Sequence, residues 1–100
     1  MAFLRSRGYR ILASNYSCKQ GELDIVALDG DELVFVEVRS RASDAHGDPA
    51  ETVDGAKQRQ VAKVAQAYIS REAPPFETAR FDVIAVVGDE LQHLVDAFRA

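Results

Sequence analysis

Two strand-like runs joined by a tight-turn sequence constrain the fold of this chain more than any other feature. The runs extend from Leu23 to Leu28 and from Leu33 to Arg39, and Asp29-Gly30-Asp31-Glu32 stands between them. An Asp-Gly pair between two strand-like runs is a strong signal for a β-hairpin. We therefore predict a hairpin over residues 22–39.

The alternation of side chains along the hairpin separates two faces, because successive residues of a strand point to opposite sides. The first face is wholly apolar and should be buried; it holds Leu23, Ile25, Ala27, Val34, Val36 and Val38. The second face is apolar near the turn, where it holds Val26, Leu28, Leu33 and Phe35. Its open end is charged and holds Glu22, Asp24, Glu37 and Arg39.

The register of the hairpin decides which carboxylates face each other. If Gly30 and Asp31 are the central turn residues, Asp24 lies opposite Glu37, with Cβ atoms roughly 5 Å apart. If the turn is centred one residue earlier, Glu37 faces Glu22 and Asp24 becomes its diagonal neighbour. Like charges across a ladder are destabilising, so both registers call for a compensating cation. A hard divalent ion with oxygen ligands, such as Mg²⁺, is the natural candidate.

A second interpretation of the same charges needs no metal. The carboxylates could lie at a solvated sheet edge, where Arg39 neutralises Glu37 or Asp24. Spacing within the hairpin does not decide between these interpretations.

The remaining patterns place helices and strands around the hairpin. Before the hairpin, we predict the end of a helix over Ala2 to Arg7 stopped by Gly8 and a strand from Tyr9 to Tyr16. After it, we predict an irregular loop from Ser40 to Asp48 and a helix that begins at Asp48, with Gly55 as a candidate interruption, and ends before Pro74-Pro75. An inner strand from Arg80 to Val87 and a final strand near Leu91 to Val95 complete the order. The first helix is too short to be stable alone, so we interpret it as truncated.

Composition limits the class of protein. One hundred residues suffice for a single core, so we expect one domain over residues 1–100. The single cysteine, Cys18, excludes an internal disulfide. No apolar run is long enough to cross a bilayer. Together these two observations favour a cytoplasmic protein with no membrane contact. The net charge of −4 argues against a general DNA-coating role.

Across nearly its whole length the chain resembles the YraN family of small bacterial proteins. The matching segments are Gly8-Tyr9-Arg10-Ile11-Leu12, Asn15-Tyr16, Gly21 to Ala27, Leu33 to Arg39, Lys57 with Ala65 and Tyr68, Arg80 to Val83, and Asp96-Ala97-Phe98. This family belongs to the PD-(D/E)XK nuclease superfamily and is similar to archaeal Holliday-junction resolvases. The resemblance implies an α/β, restriction-endonuclease-like three-layer fold, in which helices flank a mixed sheet of about five strands in the order (α)βββαββ.

The resemblance also implies roles for the charged end of the hairpin. It assigns Asp24 and Glu37 to a bound Mg²⁺ or Mn²⁺, with Glu22 as a less certain third ligand. Arg39 takes the position of the superfamily's lysine, and arginine cannot act as a general base because it stays protonated. Lys57 could point from the helix toward this end and supply the missing ammonium, or it could keep a solvated head above a buried stem.

Two functions follow from the resemblance and its departures. The first is a Mg²⁺-dependent endonuclease that hydrolyses DNA, with branched or structured DNA as a candidate substrate and a homodimer as a candidate assembly. The second is a nucleic-acid-binding or protein-interaction module that keeps the nuclease fold but has lost turnover through Arg39. Candidate contacts to nucleic acid are Arg10, Arg41 and Lys57, whereas solvated positions are the expectation for Arg59 and Lys63.

The other chemistry-bearing residues have structural interpretations. His46 is expected on the loop surface and His93 on an edge strand, both without a chemical role. Asp82 interrupts an apolar strand next to Arg80, which predicts a hydrogen bond or ion pair between them. Core or rim positions are expected for Tyr9, Tyr16 and Tyr68.

Overall fold

The computed structural model describes residues 2–41 and 55–98. Its elements are α1 (Ala2–Ser6), β1 (Arg10–Cys18), β2 (Gly21–Asp29), β3 (Glu32–Arg41), α2 (Gly55–Glu72), β4 (Thr78–Val87) and β5 (Glu90–Phe98). This order confirms the predicted succession of a helix, three strands, a helix and two strands. The predicted helix start at Asp48 lies outside the described residues, as do most of the predicted loop and His46.

The five strands form one sheet in the spatial order β1-β2-β3-β4-β5. The pair β3 and β4 is parallel, and the other three pairs are antiparallel. A parallel pair needs a long crossover connection, and α2 lies in the connection between β3 and β4. The predicted α/β fold with a mixed five-stranded sheet is therefore confirmed.

The hairpin adopts the first of the two predicted registers. Asp29 pairs with Glu32, and the same register continues to Ile25 and Val36. The turn is therefore centred on Gly30 and Asp31. Gly30 has a φ of 62°, which is the left-handed region that the first central residue of a type II′ hairpin turn requires.

Each face of the sheet has its own apolar core. On the face covered by α2, the buried cluster comprises Leu23, Val26, Leu33, Phe35, Val61, Val64, Ala65, Tyr68, Val83 and Phe98. On the face next to α1, it comprises Leu4, Tyr9, Ile25, Ala27, Val34, Val36 and Ile84. Both hairpin faces are thus buried near the turn, as a sheet between two helical layers requires.

The prediction that one face of the hairpin is wholly apolar and buried is wrong at the open end of the hairpin. Leu23 packs with the α2-side cluster although Ile25 packs on the other side, and Val38 is 38% exposed. Strict alternation holds only in a regular strand. The neighbouring β1 is irregular at this level, where Asn15 has a φ of 52°.

A buried polar network links β4 to its neighbours. Asp82 is fully buried, and its Oδ1 accepts a hydrogen bond from Arg80 Nε at 2.9 Å, which confirms the predicted pair. Arg80 also reaches the hairpin turn, where Nη1 lies 2.6 Å from Glu32 Oε1 and 3.2 Å from Asp29 Oδ2. Its Nη2 donates to the hydroxyl of Tyr9.

His93 lies on the edge strand β5, as predicted, and belongs to this network through a structural contact that the sequence did not predict. Its side chain is only 2% exposed, and Nε2 lies 2.7 Å from Asp82 Oδ2. The rings of Phe3 and Tyr9 contact it edge to face. The edge strand is therefore anchored through a polar side chain that points inward.

The three tyrosines take core and rim positions, as predicted. Tyr9 and Tyr68 are buried, whereas Tyr16 is partly buried and packs edge to face on Tyr68 at 5.1 Å between ring centroids. Within the described residues, no helix has the length and apolar character needed to cross a membrane.

Candidate functional site

Asp24 and Glu37 meet at the open end of the hairpin. The last ladder pair is Ile25 with Val36, and the same register places Asp24 opposite Glu37 at the next position. Here the carboxylates accept hydrogen bonds from the backbone. Asp24 N–H donates to Glu37 Oε2 at 3.3 Å, and Val38 N–H donates to Asp24 Oδ2 at 2.8 Å. Each carboxylate is thereby tied to the strand opposite its own.

The electrostatics of this pair favour a cation. Glu37 is only 2% exposed, whereas Asp24 is partly buried. Burial raises the pKa of the Glu37 carboxyl above its ordinary value, and the nearby charge of Asp24 raises it further. A contact with Lys57 acts in the opposite direction. Positive charge at this position therefore stabilises the ionised carboxylate.

Two side-chain cations from different elements reach the same oxygen of Glu37. Lys57 Nζ from α2 lies 3.2 Å from Oε1, and Arg39 Nη2 from β3 lies 3.8 Å from it. Lys57 stands one helical turn before the buried Val61, so its stem leaves the helix on the sheet side. Of the two orientations considered for Lys57, the structure has the one that points toward the charged end.

The other predicted site residues are placed less closely. Glu22 is exposed and pairs with Ser17, two positions or roughly 7 Å along β2 from Asp24. Arg10 pairs with Leu28 at the turn end of the hairpin, roughly 13 Å along the strand from Asp24. Arg41 is the last residue of β3, two positions beyond Arg39. The structure therefore brings together Asp24, Glu37, Arg39 and Lys57, but not Arg10.

The donor set of the site fits a hard divalent ion. Within residues 2–41 and 55–98, no three side chains of His, Cys, Asp or Glu gather in a way that could hold a metal. Mg²⁺ keeps several of its waters and is commonly held by only one or two carboxylates. The oxygens of Asp24 and Glu37 therefore match magnesium better than a metal that needs a complete cage of side chains.

An open cleft adjoins Asp24 and contains two residues that were not predicted as site residues. The cleft has a volume of about 320 Å³ and is lined by Ser14, Asn15, Asp24, Ile25 and Val38. The missed residues are Ser14 and Asn15, both exposed on β1. An asparagine inside a strand-like run is a signal for an irregular backbone, because it tolerates the left-handed conformation better than most residues do.

Comparison with known proteins gives a consistent family. A family model described as "Uncharacterised protein family UPF0102" matches residues 1–86. A UPF0102 protein of Chlorobaculum tepidum is 42% identical over an alignment 105 residues long, gaps included, and the alignment covers 95% of this chain and 81% of the relative. One from Syntrophus aciditrophicus is 45% identical over 101 residues, covering 97% and 80%. One from Moorella thermoacetica is 47% identical over 85 residues, covering 85% and 71%.

Proposed function

This chain belongs to the uncharacterised protein family UPF0102, which is the YraN family, and we propose that it is a Mg²⁺-dependent endonuclease that hydrolyses DNA. The proposal assigns the fold to the PD-(D/E)XK nuclease superfamily. The observation that carries it is the pair of carboxylates at the end of the hairpin: the buried Glu37 accepts a hydrogen bond from the backbone N–H of Asp24, and the charge of Asp24 raises the pKa of Glu37. Branched or structured DNA is the first substrate class to test.

The carboxylate pair supplies the oxygens that hold the metal. When bound, Mg²⁺ lowers the pKa of an attacking water and offsets the charge that develops on the phosphate. Glu37 is positioned by the backbone N–H of Asp24, and Asp24 by the backbone N–H of Val38. These hydrogen bonds fix both carboxylates before any ligand arrives, which favours a preorganised site.

Lys57 is the candidate for the ammonium that the superfamily places on the strand. Its Nζ lies 3.2 Å from Glu37 Oε1, on the α2 side of the sheet. An ammonium there can orient the attacking water or stabilise a phosphate oxygen, because it is a compact charge with three donors. Arg39, at 3.8 Å from the same oxygen, offers a forked pair of donors that suits a phosphate.

One observation favours a second candidate function, a nucleic-acid-binding module without turnover. Glu37 already has Lys57 and Arg39 within 4 Å of one oxygen, so its negative charge is partly neutralised without a metal. Cations paired in this way compete with a divalent ion for the carboxylate. The same lysine and arginine could hold a phosphate if the carboxylates served only to position them.

A cleavage assay distinguishes the two candidates. Labelled four-way junction, flap and linear duplex DNA should be incubated with the protein in Mg²⁺ or Mn²⁺, with Asp24→Ala as the matched control. The nuclease proposal predicts cleavage of at least one substrate by the wild type and none by the variant. Binding of DNA without cleavage by either protein would support the module instead.

Replacing Arg39 with lysine tests the same choice at one residue. The change keeps the positive charge and restores the superfamily's residue on this strand. We expect Mg²⁺-dependent cleavage to become ~10-fold faster. This gain is smaller than the ~100-fold in rate that a well-positioned acid–base group supplies. Single-turnover kinetics on the best substrate measure it. An unchanged or slower rate would mean that arginine suffices or has no role, and Lys57→Ala would then be the next variant.

The proposal extends to assembly and location. Symmetric cutting of two strands requires two sites, so we propose a homodimer on DNA, which light scattering with and without a junction tests. We also place the protein in the cytoplasm. The chain has one cysteine, Cys18, whose thiol is free, and this suits a reducing compartment.

A further inference from the structure

Asn15 completes a row of three polar residues across three neighbouring strands. In the register of β1 and β2, Ser14 pairs with Ile25 and Tyr16 with Leu23, so Asn15 stands opposite Asp24. The β2–β3 ladder ends at Ile25 with Val36, and its register continued by one residue sets Asp24 opposite Glu37 on β3, whose carboxylate accepts a hydrogen bond from Asp24 N–H. The carboxylate pair therefore has Asn15 directly beside it on the β1 side.

The backbone of Asn15 is irregular at this point. Its φ of 52° lies in the left-handed region, which is disfavoured for residues that carry a Cβ. Asparagine adopts this conformation more readily than most residues. Asn15 is exposed, so packing in the core does not account for it. Such backbone conformations concentrate at ligand sites, where the surroundings hold them in place.

The cleft places Asn15 and Asp24 on one surface. Both residues line the same open space of about 320 Å³, together with Ser14, Ile25 and Val38. A phosphodiester that approaches the carboxylate pair from this side meets negative charge first. A carboxamide offers two N–H donors without a charge of its own, so it can bind a phosphate oxygen without competing with a metal for the carboxylates.

We propose that Asn15 binds the phosphodiester backbone of DNA beside the Asp24–Glu37 pair and so positions the strand in the cleft. The inference rests on the proposed function, and it specifies the group that the cleft recognises. Contacts to phosphate are the most common hydrogen bonds between proteins and DNA, and asparagine is among the side chains that make them. Such a contact fixes the position of the strand and carries no sequence preference.

The left-handed backbone allows an unusually clean test. Asn15→Gly removes the carboxamide and also relieves the strained φ, so the variant should fold at least as well as the wild type. Asn15→Asp keeps the shape but replaces the donors with a negative charge. Ser17→Ala, at an exposed position two residues further along β1, is the matched control.

Fluorescence anisotropy with labelled junction DNA in Mg²⁺ measures the effect. We expect DNA affinity to fall about tenfold in Asn15→Gly and further in Asn15→Asp, with Ser17→Ala unchanged. Calorimetric binding of Mn²⁺ should be retained in Asn15→Gly, since the carboxylates are untouched. Wild-type DNA affinity in both Asn15 variants would overturn this inference alone. A wild-type protein that neither binds nor cuts DNA would overturn the proposed function together with it.

Discussion

Glu37 on β3 and Asp82 on β4 are both buried carboxylates, but the groups that surround them differ in kind and distance. Asp82 receives Arg80 Nε at 2.9 Å, His93 Nε2 at 2.7 Å and the backbone N–H of Asp96 at 2.9 Å. Glu37 has, among the described residues, Lys57 Nζ at 3.2 Å and the backbone N–H of Asp24 at 3.3 Å.

The difference in distance goes with a difference in exposure. The donors at Asp82 come from β4 and β5 themselves, and the Arg80 and His93 side chains are almost fully buried. The cations at Glu37 are the ends of long side chains, Lys57 and Arg39, both nearly 30% exposed. Long exposed side chains can move aside for a ligand, whereas buried short-range donors cannot.

Asp82 is therefore a structural carboxylate, whereas Glu37 is available for chemistry. Asp82 fills its hydrogen-bonding capacity inside the fold, which fixes β5 and the face next to α1. Glu37 is buried beside a second carboxylate, Asp24, and this raises the pKa of Glu37. Burial alone therefore does not distinguish the two carboxylates; the exposure of their partner side chains does.

The largest expected effect comes from breaking the Asp82 network. Asp82→Ala leaves the buried Arg80 guanidinium without its closest β4 partner, and we expect a loss of about 3–5 kcal/mol in the free energy of unfolding. Glu37→Ala should lower the free energy of unfolding by clearly less, because the side chain of Lys57 can turn to solvent when its partner is removed. Urea denaturation followed by circular dichroism measures both. Equal losses in the two variants would contradict the division into structural and available carboxylates.

A smaller effect is expected from added metal. Because a divalent ion binds the folded carboxylate pair and hardly binds the unfolded chain, free Mg²⁺ at tenfold above Kd should stabilise the wild type by about 1.4 kcal/mol. That amounts to a rise of several degrees in Tm for a domain of this size. Glu37→Gln should abolish the rise, and Asp31→Asn, at an exposed carboxylate of the hairpin turn, should keep it. An equal rise in Glu37→Gln would place the ion elsewhere.

The smallest effect concerns pH in the metal-free protein. Because the native pKa of Glu37 is raised above its ordinary value of 4.5, the folded state holds this proton more tightly than the unfolded state does. The stabilising contribution of the protonated group is therefore complete below that ordinary value and is lost as pH rises through the native pKa. Melting temperatures in EDTA from about pH 4 to about pH 7 should fall for the wild type relative to Glu37→Gln. A constant difference across that range would contradict the raised pKa.

Much of the fold could be predicted because local signals agreed with each other. The Asp-Gly turn and the apolar runs around it predicted the hairpin. The spacing of Lys57 from Val61 left two directions open for the lysine, and the folded chain has the one toward Glu37. The register could not be predicted, since the Asp29-Gly30-Asp31 sequence accommodates a turn centred on either pair. The pairing of Asp29 with Glu32 shows which of the two the folded chain adopts.

The features that escaped prediction depend on irregular strands. His93 reaches Asp82 in a part of the β4–β5 pairing where the register shifts between Phe81 and Val83. Leu23 and Asn15 lie where β1 and β2 depart from simple alternation. Parity counts assume a regular pleat, so they fail at bulges and where a ladder ends, and the candidate site lies where the β2–β3 ladder ends.

Calorimetric titration with Mn²⁺ tests most directly the claim that Asp24 and Glu37 form one metal site. Mn²⁺ shares the oxygen preference of Mg²⁺. We predict one binding event per chain in the wild type, its loss in both Asp24→Ala and Glu37→Ala, and its retention in Asp31→Asn. Binding of wild-type strength in either Asp24→Ala or Glu37→Ala would contradict the site.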